Sequence, residues 1–271
     1  GLNEYNPYVE AFFKWWDSDL HITLRELRIT GGEPIMSPEL WKLLDWFKKE
    51  DNTSDCSIVI NSNLGGKPEL IDRLVEARTH LPSLDVYTSC ESTGVKAEYI
   101  RDGLDPQRLH SYVHKYLTSV PNRNSLTFII TMNNLSILGL QRQFEWILEL
   151  RRLYSKDYQK IWFDTPVLRT PSWQSLQVLP ESYVGILENV IKWMKLHKLD
   201  ENSDRFDGFK DYEIQRMERD CAWMKKGKKQ NKGKTQNKGK TQNKSKKQNK
   251  SKKMRRSRKI RGKLSRKITK H

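Results

Sequence analysis

Two glycines, a carboxylate and a proline stand in a row at Gly31-Gly32-Glu33-Pro34, directly after Leu27-Arg28-Ile29-Thr30 and shortly before Ser37-Pro38. Glycines let a ligand approach the backbone and reach its carbonyl and N–H groups, while a carboxylate suits an ammonium group. Pro34 stops strand pairing and turns the chain. Such a segment can hold an amine at a strand end, and its other reading is an ordinary tight turn. Polar residues recur at similar places downstream, in Asn61-Ser62-Asn63-Leu64-Gly65, in Ser89-Cys90-Glu91, and in Thr131-Met132-Asn133-Asn134. Asn63 either lines the same pocket or caps its own loop, because asparagine competes well for free backbone groups in turns. Cys90 reads as a small buried hydrophobe rather than a nucleophile. His21, His80, His110, His114, His197 and His271 show no shared spacing that would make a metal site. Cys56, Cys90 and Cys221 are odd in number and widely spaced, which fits reduced thiols.

The elements that position these residues follow from periodicity. Runs rich in Val, Ile, Leu, Thr and Tyr predict strands at Thr23–Thr30, Cys56–Asn61, Leu84–Cys90, Leu126–Met132 and Ile161–Val167. Between them, Pro38–Lys49 carries Leu40, Leu43, Leu44 and Phe47 on one helical face, and Pro68–Arg78 carries Ile71, Leu74 and Val75. Ser37 before Pro38 predicts a side-chain cap on the first of these helices. Strands joined by crossover helices pair in parallel, and a run such as Phe128-Ile129-Ile130 predicts burial on both faces. The expected fold class is therefore α/β. The chain opens on an aromatic helix-like stretch, Pro7–Asp17, before any strand. Either a first strand lies upstream of Gly1, or the domain starts with a helix. Two more helices are predicted at Ser182–His197 and Gly208–Lys226.

Composition divides the 271 residues in two. The net charge of +17 suggests a nucleic-acid binder, yet residues 225–271 hold 23 of the 50 Lys and Arg and no Asp or Glu. Residues 1–224 keep 27 basic against 33 acidic groups, a net charge of −6. A six-residue unit, Gln230-Asn231-Lys232-Gly233-Lys234-Thr235, recurs at Gln236, Gln242 and Gln248. It lacks the apolar groups that offset ordering entropy, so residues 227–271 are expected to be a disordered basic tail that binds RNA or other polyanions non-specifically. Met254–His271 is at best a transient basic helix. No apolar run approaches the ~18 residues of a membrane span, and no charged-then-apolar leader opens the chain. The expected location is cytoplasmic, with no membrane partner.

The strand–GGEP–helix block resembles the radical S-adenosylmethionine (radical SAM) enzymes. Asn61–Gly65 is similar to that family's segment after the third barrel strand. Tyr87–Gly94, with Ala97–Asp105, resembles the fourth strand and loop of the twitch-domain radical SAM subgroup, and Thr131–Ser136 its fifth strand end. The likeness spans about Tyr5–Lys226. It implies a partial parallel (β/α)6-type barrel lacking its first strand, made by residues 1–226. It implies that Gly31, Gly32, Glu33 and Pro34 hold the methionine amino group of S-adenosylmethionine. Ser89 and Glu91 would then reach its carboxylate or ribose, as would Asn133, with Asn63 lining the pocket. Glu33, Asn63, Glu91 and Asn133 are expected to converge.

The chain departs from the family where the cluster should be held. Three cysteines in a CxxxCxxC loop bind the 4Fe-4S cluster of these enzymes, because thiolates are its ligands. No such loop stands in this sequence. Its natural place is upstream of Gly1, the same gap that the missing first strand suggests, so an N-terminally truncated sequence accounts for both. At the other end the family often continues into a further cysteine-bearing or small α/β region, where this chain runs into repeats. The resemblance implies reductive cleavage of S-adenosylmethionine to a 5'-deoxyadenosyl radical that abstracts a substrate hydrogen. An electron donor serves the cluster, and the fragment as written is expected to be inactive. The competing expectation is a non-catalytic α/β protein whose tail binds polyanions.

Overall fold

The computed structural model describes residues 6–118, 124–155, 158–200 and 205–227. The predicted tail, from residue 228 on, lies outside them. The chain divides into a compact unit, Gly1–Cys221, and a second, Ala222–His271, whose described residues 222–227 are helical.

Five strands form one sheet in the first unit: β1 (Glu26–Ile29), β2 (Ser57–Asn61), β3 (Leu84–Ser89), β4 (Ser125–Ile129) and β5 (Ile161–Asp164). They lie in sequential order and every neighbouring pair is parallel. All five predicted strands are present, each shorter than its apolar run. Thr23, for instance, closes a short helix rather than opening β1. The helices are α1 (Pro7–Trp15), α2 (His21–Thr23), α3 (Pro38–Trp46), α4 (Pro68–Ala77), α5 (Val95–Ile100), α6 (Pro106–Thr118), α7 (Leu140–Tyr154) and α8 (Ser182–Leu196). Residues 211–221 are helical as well.

Sequential parallel order has a direct consequence for the two faces. Crossovers between parallel strands are right-handed almost without exception, so strands added in one direction put their helices on one side. The register places Leu27, Ile58 and Leu84 in one row and Ile29, Ile60, Val86 and Leu126 in the next. With Phe128 and Phe163 these residues form the apolar face, buried throughout except at the edge strand, where Leu27 and Ile29 are half-buried. Leu40 and Leu44 of α3, Ile71 and Leu74 of α4, Val113 and Tyr116 of α6, and Phe144 and Ile147 of α7 are buried as well. Side chains tie the helices to strand backbones: Tyr116 Oη donates to the Leu84 carbonyl at 2.7 Å, and Arg151 Nε to the Ile161 carbonyl at 3.1 Å.

The opposite face is mostly polar. Glu26, Arg28, Asn61, Asp85, Tyr87, Ser89, Ser125, Trp162 and Asp164 stand on it, all exposed or half-buried, with Val59 of β2 and Thr127 of β4 buried among them. The expectation of strands buried on both faces holds at those two positions of the inner strands and is corrected for the rest. β3 alternates strictly between buried and half-buried residues, which is how a strand with one wet face reads.

The aromatic opening of the chain has a packing explanation. Trp16 is fully buried, with Phe12, Trp46 and Phe47 within 5.5–5.8 Å between ring centroids. α1 and the π-helical turn Trp16–Leu20 thereby dock on the end of α3. Ser37 does not cap α3 as expected: its hydroxyl donates to Glu39 Oε2. At the far edge, the Arg151–Glu213 pair is fully buried, and Arg151 Nη1 also donates to the Gly208 carbonyl at 2.7 Å. This clips the segment after α8 beside β5. Among the described residues, no helix is long and apolar enough to cross a membrane.

Candidate functional site

The C-terminal ends of parallel strands leave backbone groups unpaired and carry the loops of the βα units, and ligands bind there in α/β sheets. β1 stops at Ile29, and the chain bends through Gly31, whose φ of +117° lies in the region that only glycine adopts without strain. A Cβ built on Gly31 or Gly32 would meet nothing within 4 Å, so this stretch of backbone is open to a ligand. Pro34, buried, starts a 3-10 turn, Pro34–Met36, that carries the chain into α3.

Glu33 is fixed by the next loop. Ser62 Oγ donates to its Oε1 at 2.5 Å, and the Asn63 backbone N–H donates to its Oε2 at 2.8 Å. The half-buried carboxylate is therefore oriented by one bond to each oxygen, and each oxygen retains a lone pair. The Asn63 side chain takes the capping role: its Oδ1 accepts from the Gly65 N–H at 2.6 Å.

The β3 and β4 ends are arranged differently. Ser89 is the last residue of β3 and is half-buried. Glu91 is buried and bound in bidentate fashion by Arg101, with Nε–Oε2 at 2.6 Å and Nη2–Oε1 at 2.7 Å. This pair raises the guanidinium pKa and anchors the loop that enters α6. Asn133 is also committed locally. Its Oδ1 accepts from the Leu135 and Ser136 N–H groups, and its Nδ2 donates to the Thr131 carbonyl.

All eight expected site residues thus stand at strand ends on one rim. One direct hydrogen bond, from the Asn63 backbone N–H, joins Asn63 to Glu33, whereas Glu91 and Asn133 are engaged with other partners. The β2 and β3 loops do meet: Asn63, Leu64 and Gly65 share a cleft of about 150 Å³ with Arg101–Asp105 and Arg108. Sequence reasoning missed Ser62 and Arg101. The signal for Arg101 was available in its spacing from the buried acid Glu91, which demands a cation of opposite charge.

Gly31, Gly32 and Glu33 fit the amino end of S-adenosylmethionine, because they offer open backbone and an oriented carboxylate. The thiols do not fit an iron–sulfur cluster. Cys56, Cys90 and Cys221 are all buried, and burial pushes Cys56 up to about 11 and Cys90 up to about 12, which keeps both protonated. Cys90 Sγ is turned to the Ser92 carbonyl at 3.0 Å. Among the described residues, no group of three or more His, Cys, Asp and Glu side chains converges as a metal site. Compared with known proteins, the chain matches no protein-family model and no curated protein.

Proposed function

We propose that the first unit is the S-adenosylmethionine-binding part of a parallel α/β barrel of the radical SAM type. One observation carries this reading: the four segments that resemble the family lie at the C-terminal ends of β1, β2, β3 and β4, four neighbouring strands of one parallel sheet. The polar second face suits the interior of a barrel, and β1 is an edge strand, where one more parallel strand would pair.

In this reading Glu33 and the carbonyls around Gly31 and Gly32 hold the methionine ammonium, and Ser62 and Asn63 keep Glu33 aimed. Glu91 acts through Arg101 as a positioning residue for the β3 loop. A reduced 4Fe-4S cluster, if held beside this site, would supply the electron that makes S-adenosylmethionine a radical source. The cluster ligands would come from a preceding cysteine loop, and no residue described here replaces them.

The test joins a strand and a CxxxCxxC loop ahead of Gly1 and reconstitutes the protein anaerobically with iron and sulfide. The extended protein should turn brown and release 5'-deoxyadenosine from S-adenosylmethionine, whereas the chain as it stands should do neither and bind the cofactor weakly. Glu33→Ala in the extended protein should weaken cofactor binding by about tenfold to a hundredfold, the loss of a charge-assisted pair worth ~1.5–3 kcal/mol. Equal cleavage by Glu33→Ala and its parent at limiting cofactor rules the assignment out.

A second reading rests on charge segregation. The polycationic residues 225–271 would bind RNA or another polyanion whatever the first unit does.

A further inference from the structure

Away from the strand ends, α6 and α7 bring two imidazoles together. His110 and His114 are one helical turn apart on α6, with ring centroids 6.3 Å apart, an i,i+4 spacing that corrects the sequence expectation of no metal-site spacing among the histidines. Each ring is held from α7. His110 lies flat on Trp146, with centroids 3.9 Å apart and planes 14° apart. His114 Nδ1 is 2.7 Å from Tyr154 Oη.

Thr118 Oγ1 spends its proton on the His114 carbonyl at 2.7 Å, and Tyr154 Oη is the partner of His114 Nδ1. In the tautomer that donates from Nδ1 to Tyr154, Nε2 carries the lone pair, and a histidine whose second nitrogen donates to a fixed oxygen is oriented as metal-binding histidines are. Glu149 on α7 lies near enough to His110 for its charge to act on that ring.

We propose that His110 and His114 form a two-imidazole chelate for a borderline divalent transition metal, with Zn²⁺ as the reference ion and solvent in the remaining positions. With zinc–nitrogen bonds of ~2.0–2.1 Å in tetrahedral geometry, the two ring centroids stand about 5 Å apart. The rings close by about 1 Å, a small side-chain rotation, to reach it. Glu149 adds a negative charge beside the ion and needs no direct bond to it.

The test titrates the full chain with zinc alone at pH 7.5 by calorimetry and repeats it for substituted chains. The protein should take up one zinc ion. His110→Asn and His114→Asn should each weaken uptake at least tenfold. Tyr154→Phe, which keeps both imidazoles, should weaken it by about tenfold, as loss of an outer hydrogen-bond partner does. His80→Asn should leave uptake unchanged. Affinity should fall at acid pH, because metal-binding imidazoles must be neutral. If His110→Asn disturbs the Trp146 stack and the fold, the His114→Asn and Tyr154→Phe titrations decide. No uptake by the parent chain overturns the site, and so does unchanged affinity in His114→Asn.

Discussion

Glu33 and Glu91 are both carboxylates just past strand ends, yet their surroundings give them opposite roles. Glu33 is oriented by two neutral donors from the β2 loop, whereas Glu91 is buried and matched by a full positive charge. A buried carboxylate that already has a guanidinium offers little to a ligand, while an oriented carboxylate without a charged partner favours one. Asn133 shows the same logic, since its side chain spends its groups on the turn it sits in. These roles were only partly legible in the sequence. Residue type and strand-end position placed them on the rim, but which partner each acid or amide takes depends on loops that meet only in three dimensions. Asp220 makes a separate, measurable point. Burial pushes its carboxyl up to about 6, against the pull of Thr165, Arg216 and Arg219. The folded state therefore holds this proton more tightly than the unfolded chain, whose aspartates titrate near ~4. Its contribution to stability is full below about pH 4 and is lost as pH rises through about 6. Asp220→Asn has no such proton, so its stability relative to the parent should climb between pH 4 and 6 and then level off. Urea unfolding midpoints across that range check this, and a flat difference rules it out.

At the scale of elements, the helices' apolar spacing placed α4 nearly to the residue and the start of α3, which ends at Trp46, three residues short of the expected Lys49, and all five strands were found. Strand length was overread, because apolar runs such as Leu126–Met132 continue past the last ladder bond into loops that are buried for other reasons. Met132 shows this: it is fully buried but pairs only as an isolated bridge with Val167. Burial on both faces was also overread from Phe128-Ile129-Ile130, since Ile129 is only half-buried on a face that it shares with Tyr87, Ser89, Ser125 and Asp164 as well as the buried Val59 and Thr127. The closure of the β5 edge was not legible at all. It depends on Arg151 in α7 reaching Glu213, 62 residues away, and the sequence offers no local pattern for such a pair. Both side chains are fully buried, and the guanidinium also serves the Ile161 and Gly208 carbonyls. Removing one partner strands a charge and two carbonyls in the core. Arg151→Met should therefore destabilise the first unit by about 3–5 kcal/mol, read as a fall in the denaturant midpoint. Loss below about 1 kcal/mol would mean that the segment after α8 is held beside β5 by its apolar contacts, Phe209 among Phe144, Phe163 and Trp193.

Across the whole molecule, charge and apolar content are segregated along the chain. The folded unit carries the core and a slight acidic excess, whereas the last 47 residues carry 23 positive charges and no acidic one. A net charge of +17 read alone would assign nucleic-acid binding to the entire protein, but the distribution assigns any such binding to residues 225–271. The repeats in that segment contain no aromatic side chain on which a base can stack, so attraction comes from phosphate neutralisation and the release of condensed counterions. That mechanism has a quantitative signature. If six to ten of the cations engage phosphates at once, affinity falls by about 10³–10⁵-fold between 50 and 200 mM salt, with little dependence on base sequence. The full chain should follow this steep line on unrelated RNAs in a filter-binding or fluorescence-anisotropy titration. A chain ending at Met224 should show no binding at any salt, because the groups left behind are net acidic and electrostatics then oppose association. Binding that survives the truncation, or that distinguishes RNA sequences at fixed salt, would place nucleic-acid recognition on the folded unit instead.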